Sequence, residues 1–175
     1  KKGRVIYNII INKKKEVVNM DTNKSLSLIA EIETRTIIAI SNSLDAINET
    51  VLEYSKTNNI EPYFEGFKIG VELVKSMVGK TVVKAGAEPL SKEVVELVIN
   101  SDMGLQICKK VANKICEELE SQVETLKEEL SKEKLSDLYV EIYLAGYNLV
   151  STLVKEFANR KEDMPKTVEK GVEIE

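Results

Sequence analysis

From Ala30 to Tyr54 the chain repeats one pattern. Ala30, Ile37, Leu44 and Val51 recur every seven residues, with Ile40, Ile47 and Tyr54 between them. Steps of three and four place these residues on one face of an α-helix, whereas a strand, with its period of two, would scatter them over both faces. Glu33 holds the one stripe position that is charged. Asn58-Asn59 supplies a stop, because asparagine tolerates the left-handed conformation that ends many helices. Pro62 then stands where a first helical residue is favoured. The second helix carries Tyr63, Phe67, Gly70, Val74 and Met77 on one face.

The pattern continues in the second half. Pro89 and Ser91 open a third element whose stripe runs from Val94 and Val98 through Leu105, Cys108, Ala112, Ile115 and Leu119 to Leu126. "SDMGL" suggests a break at Ser101–Gly104 with Asp102 capping the restart, since Gly104 inside a helix costs about 1 kcal/mol. A fourth helix spans residues 136–160, with Leu138, Ile142, Ala145, Leu149 and Leu153 as its expected core stripe. The fold class expected is mainly α, a four- to five-helix antiparallel bundle over residues 22–161.

The ends read differently. Residues 1–21 contain "RVIYNIII" and "EVVNM" around "NKKK", which favours a short β-hairpin or basic arm. Its first fifteen residues hold Lys1, Lys2, Arg4, Lys13, Lys14 and Lys15 and no acid. Lys13, Lys14 and Lys15 are therefore the candidate nucleic-acid contacts. The formal net charge of −4 argues against such binding, and lysines also protect a strand edge from aggregation. Residues 162–175 read as a tail.

The chemistry is bounded by what is missing. The sequence has no histidine, which removes Ser-His-Asp and Cys-His catalysis and imidazole metal sites together. Cys108 and Cys116 on one helix would lie roughly 12 Å apart, too far for a disulfide, and read as small buried residues of a reducing, cytoplasmic compartment. No apolar run reaches the ~20 residues of a membrane span. No cofactor is expected. An acidic helical bundle does invite comparison with carboxylate metal sites, and Glu33, Glu118 and Glu141 are the candidates for holding iron, manganese or zinc. They lack the Glu-x-x-His companions of such sites.

"YFEGFKIGVELVK" (63–75) and "YLAGYNLVSTLVK" (143–155) share Tyr, Gly, Leu, Val and Lys at equal offsets. Glycine within a helix calls for a reason, and close approach of another helix is the commonest. The echo is read as two solutions to one packing problem rather than as a duplication. Tyr139, Tyr143, Tyr147 and Val150 form a second stripe on the fourth helix, adjoining its expected core face. With Gly66, Gly70 and Gly146 they are the candidate interface of a protein-interaction module that self-associates, most simply as a homodimer.

Overall fold

The computed structural model describes residues 22–78 and 91–163, with side chains over 25–78 and 91–159. These residues form a mainly α bundle with no strand among them. The helices are α1 (Thr22–Ala46), α2 (Asn48–Thr57), α3 (Glu61–Val78), α4 (Lys92–Ile99), α5 (Asp102–Ser121), α6 (Val123–Lys132) and α7 (Asp137–Asp163). No described helix is long and apolar enough to cross a membrane. The hairpin or arm expected over 1–21, with Lys13, Lys14 and Lys15, and the tail beyond residue 163 lie outside the described residues.

The long first helix has a break that its periodicity hides. At Ile47 the backbone leaves helical geometry (φ −99°, ψ 1°), and its N–H bonds to Leu44, three residues back instead of four. Gln122 in the second half likewise bonds three residues back, to Leu119, although its backbone (φ −86°, ψ −12°) stays in the right-handed helical region. Each single tight turn redirects the chain into a ten-residue helix, α2 or α6. Each short helix then ends at a left-handed residue, Asn59 (φ 54°) and Lys134 (φ 56°), the two such non-glycine residues among those described. After the Ile47 break Val51 and Ser55 face inward. Tyr54, expected on the core stripe, is turned out to 54 % exposure and meets the Tyr63 ring edge-on at 5.6 Å.

The expected break before α5 is present, with a different cap. Ser101, not Asp102, closes the helix start by accepting from the Gly104 N–H (3.3 Å). Gly104 is small because α4 folds back on it. A Cβ there would collide with the carbonyls of Val98 and Ile99.

Among the described residues, α1–α3 and α5–α7 thus repeat one three-helix unit. A shift of 75 residues carries α1–α2 onto α5–α6 (Asn48 to Val123, Asn59 to Lys134). A shift of 80 carries α3 onto the matched part of α7 (Tyr63 to Tyr143). The longer second shift is an added turn at the start of α7, carrying Leu138 and Tyr139. Ile32 and Ile107, Ile40 and Ile115, and Leu44 and Leu119 are identical buried pairs under the first shift. Equivalent ion pairs tie the helices of each unit, Asp45–Lys75 (2.8 Å) and Glu120–Lys155 (3.5 Å). The sequence echo therefore belongs to a structural repeat as well as to a packing problem.

The two units meet along α3 and α7, the most extensive helix contact in the molecule. Contacts there rise together in number, Glu65 with Tyr139, Gly66 with Tyr143, Gly70 with Val150, so this pair runs parallel. The contact is reciprocal. A Cβ at Gly66 would overlap the Tyr143 carbonyl, and one at Gly146 would overlap the Tyr63 carbonyl. That exchange is what a local twofold axis along the helix pair produces. Phe67, Val74, Tyr147, Val150 and Val154 fill the core beside it, each no more than 1 % exposed.

This seam reverses the expected orientation of α7. The stripe read as core (Leu138, Ile142, Ala145, Leu149, Leu153) is half-buried or exposed, with Leu138 at 65 %. The tyrosine–glycine stripe faces inward. Both stripes are apolar, so hydrophobicity alone could not choose between them. The choice follows from Gly146 and Gly66, which let the α7 and α3 backbones come into contact.

Candidate functional site

The residues expected to meet a second copy are brought together, inside one chain. Tyr143 (8 % exposed), Tyr147 (1 %) and Val150 (0 %) are buried by the chain's own helices, and Gly66, Gly70 and Gly146 form the α3–α7 seam. A Cβ on Gly70 would lie 2.7 Å from the Val150 side chain. The Tyr147 hydroxyl donates to the Leu119 carbonyl (2.9 Å), an acceptor beside the Gln122 break. Burial comes first among the causes that push this phenol up to about 12, followed by the Glu118 charge.

Tyr139 is the member of the group that stays partly open. Its hydroxyl donates to the Glu65 carboxylate (2.5 Å), and its ring stacks on Tyr143 at 6.5 Å. That hydrogen bond, with some burial and the neighbouring carboxylates, holds the Tyr139 phenol at about 12. With their pKa values raised, both hydroxyls are neutral donors near neutral pH, tying α7 to the Leu119 carbonyl and to Glu65.

The candidate metal residues do not converge. Glu33 on α1 and Glu118 on α5 line one cleft, but Glu141 is exposed on α7 and lines no part of it. Among the described residues no three Asp, Glu, Cys or His side chains are placed to hold a metal ion. Lys110 and Lys114 share the cleft with the two glutamates and already offset their charge. Glu49, Glu65 and Glu72 are exposed.

Cys108 and Cys116 are both buried and neither is in a disulfide, as their spacing requires. Cys108 Sγ lies 3.3 Å from Thr36 Oγ1 across the α1–α5 contact, and Cys116 Sγ–H donates to the Ser151 carbonyl (3.7 Å). Burial raises the Cys116 thiol; the Lys155 charge lowers it by less, and Glu120 and Glu117 add to the rise. A raised, buried thiol is a poor nucleophile.

Two features carry the remaining possibilities. One is the cleft between α1, α3 and α5, about 150 Å³, with Ile37, Met77 and Val111 beneath its four charged residues. Sequence reasoning found Glu33 and Glu118 individually but missed their grouping with Lys110 and Lys114. The three lysine and glutamate positions of α5 are spaced by four, yet nothing local says which helix covers that stripe. The other feature is the outward leucine face of α7. No known protein family, curated protein or solved structure matches this chain.

Proposed function

We propose that this chain is a non-catalytic helical scaffold that works by contact and joins a second copy of itself through the outer face of α7. The observation that supports this is the second apolar stripe of that helix. Leu138, Ile142, Ala145 and Leu149 follow a four-three-four spacing, the seam geometry of paired helices, and the fold leaves them exposed or half-buried. A surface helix needs only one such stripe, and α7 uses its tyrosine–glycine side for the chain's own core. Covering Leu138 and Ile142 would stabilise a dimer by about 1.5–3 kcal/mol per fully buried side chain. The surface differs from the tyrosine patch suggested by sequence, because that patch is already occupied.

Light scattering after size exclusion at two protein concentrations tests the reading. The wild-type chain should give a dimer mass. Leu138→Glu with Ile142→Glu should give a monomer of unchanged helical circular dichroism. Tyr143→Glu with Tyr147→Glu should instead unfold the chain, since each charge would be placed in the core. A wild-type monomer at both concentrations would sink the proposal.

A further inference from the structure

The outer face of α7 carries charges as well as leucines, and the charges have an order. Glu141, Asn148 and Lys155 recur every seven residues, so they line one edge of the apolar stripe, and all three are exposed. Glu141 has no ion-pair partner among the described residues. Lys155 reaches Glu120 at 3.5 Å, yet its side chain is 58 % exposed and has room for a second carboxylate. An acid and a base set at equal distances either side of one residue complement a copy of themselves only when that copy runs the opposite way.

The apolar positions make the same demand. Exposed Ala145 and half-buried Leu149 stand one turn apart in the middle of the stripe. A parallel pair of helices puts equivalent residues in one layer, alanine on alanine and leucine on leucine. An antiparallel pair sets each alanine against a leucine, and small against large fills the layer better. The reversal that matches the charges is therefore the one that matches the packing.

We infer that the second copy docks antiparallel, about a twofold axis crossing α7 near Asn148, with Glu141 of each chain facing Lys155 of the other. This rests on the self-association proposed above and assigns its orientation. Opposed helix dipoles favour the same arrangement. Both ion pairs lie at the surface, so the dimer weakens as salt is raised.

The test is cross-linking of the full chain with a short bismaleimide, comparing Asn148→Cys with Glu141→Cys. The native thiols are buried. In the antiparallel dimer the two Asn148→Cys thiols meet at the axis and join, whereas the two Glu141→Cys thiols stand roughly 21 Å apart along the helices and do not. Sedimentation equilibrium supplies the second readout. Glu141→Lys should weaken the dimer about tenfold at low salt, since it sets like charges together twice. Adding Lys155→Glu to that variant should return most of the loss. A wild-type monomer, or cross-linking at neither position, would overturn the α7 dimer and this orientation together. Equal cross-linking at both positions, or a charge-swapped variant no tighter than Glu141→Lys alone, would overturn the orientation while the dimer stands.

Discussion

Phe67 in the first repeat and Tyr147 in the second occupy equivalent places, buried beside the same seam, and only the tyrosine carries a hydroxyl. That hydroxyl reaches the Leu119 carbonyl at the helix break. The equivalent carbonyl, Leu44, accepts from Ile47 and has no phenol opposite it. Another buried polar position differs too. Ser41 corresponds to Cys116, yet the serine oxygen has no hydrogen-bond partner among the described residues whereas the thiol bonds Ser151. Shape is repeated where the two units touch, in Gly66 and Gly146 and the aromatic beside each, and the left-handed turns at Asn59 and Lys134 repeat away from that contact. Polar chemistry is free to diverge wherever a neighbour in only one repeat can satisfy it. The added turn of α7, with Tyr139 bonded across to Glu65, is a further divergence and makes the second unit the longer arm of the pair.

The twofold seam can be broken most directly at its glycines. Gly66→Ala and Gly146→Ala should each destabilise the fold by about 3 kcal/mol or more, the upper range for overpacking, because the added carbon meets backbone that cannot rotate aside. Once either has pushed the helices apart the other costs less, so the double variant should fall short of the sum. Urea unfolding followed by circular dichroism measures all three. Strict additivity, or a large difference between the two sites, would mean that the contact is not reciprocal.

A smaller effect is expected at the Phe67–Tyr147 pair. Tyr147→Phe should cost about 1 kcal/mol at neutral pH through one lost hydrogen bond. The phenol also gives a pH signature. Its pKa is raised from the ordinary value near 10 to about 12, so its contribution is complete below pH 10 and is lost as pH rises through about 12. Alkaline melts should therefore show wild type losing its advantage over Tyr147→Phe across that window. Phe67→Tyr sharpens the comparison. If Leu44 can accept a second bond the change is close to neutral, and otherwise the buried hydroxyl costs about 1–3 kcal/mol.

The mildest change is Ser41→Cys, which copies the second repeat into the first. Replacing an unpartnered buried hydroxyl with a soft thiol should stabilise by up to about 1 kcal/mol, read as a higher urea midpoint at unchanged slope. A lower midpoint would mean that Ser41 is satisfied in solution.

Much of the fold was legible because helix formation depends on local spacing. The three–four stripe running through α1 and α2 named Ile37, Ile40, Leu44 and Val51, all buried. The Asn59 stop and the break before α5 were visible through residues with local conformational preferences. The breaks at Ile47 and Gln122 were not, because neither residue carries a turn signal and the periodicity runs through both. They became apparent only as a matched pair. Of the cleft, Glu33 was visible as the charged exception on its stripe, while its companions come from another helix.

The α7 helix marks the boundary between the two kinds of information. Sequence by itself determined that this chain is helical, that its core is aliphatic, and that glycines at Gly66 and Gly146 call for close helix contact. Only the tertiary structure decided which partner answers that call, and so which of two apolar stripes on α7 goes inside. The physical reason is range. Periodicity and capping act within a turn or two of helix, whereas the burial of a face depends on a surface contributed by residues some eighty positions away.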